Sequence, residues 1–97
     1  MITIENIIEW SKPHQLDGGR MTRIFNEEIE LSIVGGRSGL YGDFKEDFEV
    51  AVIDRKSDEF VTKFFKPENN DDVIGYMIGK DLEDFANQLF KKSFQVR

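Results

Sequence analysis

Two hydrophobic periods divide this chain, and together they leave few folds open. Leu82, Phe85, Ala86, Leu89 and Phe90 recur at i, i+3, i+4, i+7 and i+8, the stripe of an amphipathic helix. The pattern predicts a helix over residues 81–92. Asp81 stands at its N-cap, Glu83 and Asp84 in its first turn and Lys91-Lys92 in its last, all favourable to the helix dipole.

Between Met21 and Phe65 the period is two. Met21, Arg23 and Phe25 share one phase that Ile29, Leu31 and Ile33 continue, with Glu28, Glu30 and Ser32 on the opposite, wetted side. Asn26-Glu27 is read as the tight turn of a hairpin. Phe48, Val50 and Val52 alternate with Glu49, Ala51 and Ile53, which predicts a central strand over residues 46–54. After the polar turn Arg55–Asp58, residues 59–65 read as its partner strand, with Phe60, Thr62 and Phe64 on one face and Phe65 on the other. Residues 73–79 fit either a helical stripe or a strand. Gly75 and Gly79 each cost a helix interior about 1 kcal/mol, so the strand is preferred. At the start, Thr3 caps a two-turn helix bearing Ile4, Ile7 and Ile8, which Pro13 ends.

The expected fold is α+β: a single domain, residues 1–97, with an antiparallel meander sheet of four to five strands. A short N-terminal helix and the C-terminal amphipathic helix complete it, the latter packed on one face. Nine Phe in 97 residues supply a modest core for a domain of this size. Cys is absent, which excludes disulfides, thiol nucleophiles and thiolate metal sites. No apolar run reaches the roughly 20 residues that span a bilayer. The first residues lack the basic and apolar regions of a signal peptide, so a cytoplasmic location is expected.

The net charge of -6 is unevenly spread. Residues 27–49 carry seven carboxylates against two cations, residues 68–84 six against one, and residues 85–97 three cations alone. A field of this sign repels phosphate backbones and anionic lipid, so neither direct nucleic-acid binding nor membrane docking is expected. It suits a basic protein partner, or serves solubility alone.

No residue pattern carries chemistry well. His14, the one histidine, lies in a loop near Asp17, and no serine sits on a recognisable elbow. Gly35–Gly42 holds four glycines but lacks the lysine and following helix of a phosphate loop. Residues 68–72 offer oxygen ligands without the alternation or central glycine of a calcium loop. An enzyme is therefore not expected, and neither a cofactor nor a metal is assigned. What remains is contact. Arg37, Leu40 and Tyr41 sit in the glycine-rich loop, Glu28, Glu30 and Glu49 on strands, and Phe65 and Phe94 outside the main apolar phase as an exposed patch. The expected function is a non-catalytic acidic protein-interaction module. Inhibitors, immunity proteins and phage-type modulators use the same physics to mask a basic surface of a partner. The alternative is a small structural or assembly protein that acts as a homo-oligomer through a sheet edge or the Phe patch.

Overall fold

The computed structural model describes residues 1–14, 18–37 and 41–97. Its elements are α1 (Ile4–Glu9), β1 (Lys12–Pro13), β2 (Arg20–Phe25), β3 (Ile29–Gly35), β4 (Asp47–Asp54), α2 (Thr62–Phe65), β5 (Ile74–Ile78), α3 (Gly79–Leu89) and β6 (Gln95–Val96). The sheet runs β1-β2-β3-β4-β5, every pairing antiparallel, with β6 also paired to β2. It is the expected α+β meander between a short first helix and an amphipathic last one.

Local chemistry explains most boundaries. The Thr3 hydroxyl accepts from the Asn6 amide and caps α1. Two turns are too few to persist alone, so α1 depends on docking. Asn87 of α3 exchanges two 2.8 Å hydrogen bonds with the Ile2 backbone, Glu83 accepts from the Ile4 amide, and Thr22 donates to the Ile7 carbonyl. Asn26 closes the β2–β3 hairpin by accepting from the amides of Glu28 and Ile29, the turn-mimicking habit of asparagine. The core lies on one sheet face, where Ile24, Leu31, Ile33, Phe48, Val50 and Val52 meet Leu82, Phe85, Ala86 and Phe90, with Ile2 and Ile7 added from the N-terminus.

Three features differ from the sequence reading. In β2 the buried residues are Thr22 and Ile24, not Met21, Arg23 and Phe25. The register pairs Ile24 with Leu31 and Phe25 with Glu30, so odd positions of β2 share a face with even positions of β3. A single phase running through residues 21–33 suits one unbroken strand; this hairpin reverses it. Second, α3 begins at Gly79 and ends at Leu89, without a side-chain cap. Strand β5 feeds straight into it, and the Gly79 amide is satisfied by the Glu46 carbonyl, which leaves Asp81 inside the first turn. Lys91-Lys92 lie beyond the helix, because the chain must turn there for β6 to reach β2.

The third correction concerns residues 59–65. Only an isolated bridge, Ile53 to Phe60, remains of the predicted strand, and Thr62–Phe65 turn into α2. The buried Thr62 hydroxyl accepts from the Val52 amide at 2.9 Å and donates to the Asp72 carbonyl at 2.6 Å. A side chain thus replaces a strand partner, and the backbone is free to leave the sheet. Thr62→Val keeps the shape but strands both groups; at about 1–3 kcal/mol for each unsatisfied buried group, we expect a loss of about 2 kcal/mol or more in urea unfolding. A loss below about 0.5 kcal/mol would show that the hydroxyl does not hold this edge.

Candidate interaction surface

With β3 on one side of β4, the other side is shared end to end by β5 and the Phe60–Thr62 segment. Exposed apolar side chains concentrate along that edge. Among the described residues, eight large hydrophobics are exposed, and six of them (Tyr41, Phe60, Phe64, Phe65, Tyr76 and Ile78) belong to this border. Surface apolar residues usually occur singly, so this grouping makes the edge a candidate contact surface.

Two aromatic pairs anchor the strip. Tyr41 and Tyr76 lie 5.9 Å apart, and the Tyr76 amide donates to the Tyr41 carbonyl at 2.7 Å. Gly75 lets them meet, since a Cβ there would stand 2.9 Å from the Tyr41 Cβ. Tyr76 itself holds a φ of +54°. That left-handed conformation costs an L-residue about 1–2 kcal/mol, an outlay found most often at functional positions. Phe64 and Phe65 form an edge-to-face pair at 5.5 Å, and Phe64 is 83% exposed.

Carboxylates are interspersed with the strip's residues along the sequence. Residues 58–78 hold five against two lysines, and residues 41–49 four against one. Asp43 organises its end of the edge. Its carboxylate accepts from the amides of Lys45, Glu46 and Asp47, and these bonds hold its pKa down, at about 2. The turn keeps its charge at any physiological pH. It adjoins the start of α3 through the Glu46–Gly79 bond, so the later half of the first acidic block meets the second block. Glu27 and Glu28 lie at the far end of β3, roughly 20 Å away at the rise of a strand.

A different chemistry occupies the sheet face opposite α3. Glu30, buried with a side chain 6% exposed, pairs with Arg23 at 3.0 Å and Arg97 at 2.6 Å, one cation on each oxygen. The guanidinium carbons of Arg55 and Arg97 stand 4.5 and 4.9 Å from the Phe25 ring centre, and Arg55 also donates to the Asn26 carbonyl. Beside this cluster an open groove of about 730 Å³ runs between the β2–β3 turn and the segment joining α3 to β6.

The contact residues expected from sequence separate accordingly. Tyr41 and Phe65 lie on the aromatic edge, while Leu40 falls outside the described residues, as does Asp17, the carboxylate named beside His14. Glu28 and Arg37 are exposed, away from that edge and at different ends of β3. Glu30 is not on a wetted face: it shares a face with Phe25 and Arg23 beneath two arginines. Half-buried Glu49 accepts from the Tyr41 amide, which makes it a support for the loop. Phe94 is not an exposed partner of Phe65, because it packs between Trp10 at 5.9 Å and Phe90 at 6.2 Å. In residues 68–72, Asn69 is turned inward to the carbonyls of Asp71 and Val73, and among the described residues no cluster of three His, Asp or Glu is placed to hold a metal. No helix among them is long and apolar enough to cross a membrane. Tyr76, Phe64 and the arginine cluster were missed from sequence. The strand preferred for residues 73–79 and the tyrosine within it were the only available signals for the first. No known protein family, curated protein or solved structure matches the chain.

Proposed function

We propose that this chain is a non-catalytic protein-interaction module that engages a basic partner through the edge formed by β5, α2 and Tyr41. The observation that carries the reading is the gathering of six exposed apolar side chains on one border, within segments rich in carboxylates. Aromatic anchors supply most of the energy at such contacts, and flanking charge selects and steers the partner. An inhibitor, immunity protein or phage-type modulator that masks a basic surface works in this way. Self-association through β5 is the weaker reading. The strand is uncharged from Ile74 to Ile78 and lies at the sheet edge, which favours pairing, but a two-fold contact would set like carboxylates against each other.

Tyr76→Gly separates binding from folding. Glycine relieves the positive φ while it removes the ring, so stability is expected to stay within about 1 kcal/mol. The immobilised chain is expected to retain a basic protein from lysate at about 0.05 M salt and release it near 0.5 M. Tyr76→Gly is expected to weaken that retention about tenfold or more, as for an interface anchor. Retention of the same protein unaltered by both salt and Tyr76→Gly would refute the proposed edge.

A further inference from the structure

We propose that Arg23, Arg55 and Arg97 form a binding site for a phosphoryl-type oxyanion on the sheet face opposite α3. The three arginines, with Glu30, Ile53 and Asp58, line a cavity of about 160 Å³, room for roughly five waters at ~30 Å³ each. A tetrahedral oxyanion displaces a few such waters. Its walls carry three cations and two carboxylates, a local charge of +1 in a chain whose net charge is -6. The repulsion of phosphate expected from the net charge therefore does not hold at this point, because a local field decides binding at short range.

The cluster is held in place before any anion arrives. Glu30 fixes Arg23 through Nη1 and Arg97 through Nε, and the Asn26 carbonyl fixes Arg55 through Nη1. The Phe25 ring supports both Arg55 and Arg97, whose guanidinium carbons are no further apart than the sum of their 4.5 and 4.9 Å distances to its centre. Each guanidinium has five N–H donors and spends one on these contacts. Arg23 Nε is enclosed without an acceptor. The Arg23 and Arg97 side chains are 39% and 49% exposed and Arg55 is exposed, and planar forks of this kind take phosphoryl oxygens two at a time. Three guanidiniums against Glu30 repel one another, and a doubly charged anion removes that repulsion. Arg55 also lines the adjoining 730 Å³ groove with Phe25, Phe90 and Phe94, so the group bound can be free phosphate or the head of an ester whose apolar body lies in the groove.

Two anions at constant ionic strength provide the test, read on the arginine Nε–Hε NMR signals. Inorganic phosphate and phenyl phosphate are each expected to shift the signals of Arg55 and Arg97 saturably, with Kd on the order of 1 mM. Tighter binding of phenyl phosphate assigns the groove to an ester body, and equal binding assigns free phosphate. Arg55→Met keeps an apolar stem over Phe25 and should weaken binding about tenfold. Asp58→Asn removes an opposing charge, raising the local charge from +1 to +2, and should tighten binding several-fold. Asp58 has a φ of +64°, a conformation that asparagine accepts, so this variant folds even if Arg55→Met does not. Shifts that stay linear to about 50 mM for both anions, or a midpoint unmoved by Asp58→Asn, would overturn the site.

Discussion

Phe48→Ala is expected to remove about 3–5 kcal/mol, a large share of the stability of a domain this size, with a fall in Tm of about 15 °C or more. Phe48 is fully buried, sits opposite Met77 across β4 and β5, and meets Phe44 edge-to-face at 5.1 Å. Its surroundings have little freedom to collapse. Phe44 is held at a φ of +62° by the Asp43 turn, and Gly42 lies so close that a Cβ there would stand 2.7 Å from the Phe48 Cα. The void therefore stays open, which places the cost high in the range for such truncations. Phe64→Ala deletes the same ring from the exposed edge and is expected to stay within about 0.5 kcal/mol. Urea unfolding of both variants measures the difference. Equal losses would mean that the core is not where Phe48 lies.

That contrast also shows how far residue pattern reaches. Strand β4 was legible because both of its faces are read within one segment: Phe48, Val50 and Val52 bury toward α3, while Ala51 is buried on the other side. The stripe of α3 was legible for the same reason. Its ends were not, since Gly79 is capped by a carbonyl more than thirty residues away, and the stop after Leu89 is set by where β6 must pair. Residues 59–65 misled because β propensity speaks for seven residues at once. A single threonine hydroxyl, bonded to Val52 and Asp72, decided the outcome.

The surface was harder to read than the fold. Tyr41 was visible as a residue of the glycine-rich loop and Phe65 as one out of phase with the core, but Tyr76 gains its place from a left-handed backbone that no periodicity encodes. The arginine cluster draws on three strands or strand ends far apart in the chain, at positions 23, 55 and 97. Nothing in the local sequence around any of them marks it. Net charge averaged over a segment concealed two of them further, because Arg23 lies in residues 1–26, which sum to zero, and Arg55 in residues 50–67, which sum to +1.

Glu30→Lys should be among the most damaging single changes in this protein, although alternation along β3 makes it look like a harmless surface reversal. Glu30 is enclosed, and both its oxygens are already occupied by arginines that are 39% and 49% exposed. If Glu30 is merely removed, those two can turn back to water, which moderates the loss. A lysine cannot be accommodated so easily: its ammonium enters the same enclosed position as a third cation, with Arg55 close by on Phe25. Breaking a buried pair costs about 3–5 kcal/mol, and the added repulsion places the reversal at or above that range. Glu30→Gln keeps shape and one acceptor, so about 1–3 kcal/mol is expected. The loss should appear first in β6, as faster hydrogen exchange at the Arg97 amide, which bonds to the Arg23 carbonyl at 3.0 Å. Glu28→Lys, at the exposed hairpin tip, should change stability by no more than about 0.5 kcal/mol. Thermal melts of the three variants check the ordering. If Glu30→Lys melts with the wild type, Glu30 is a solvated strand residue, and the cluster it organises does not exist in solution. If it falls as expected, charge reversals that test for a basic partner must be confined to carboxylates on which the fold does not depend, such as Glu46 and Asp72. Asp43, Asp47 and Glu49, which accept from backbone amides of the 41–49 turn, are left in place.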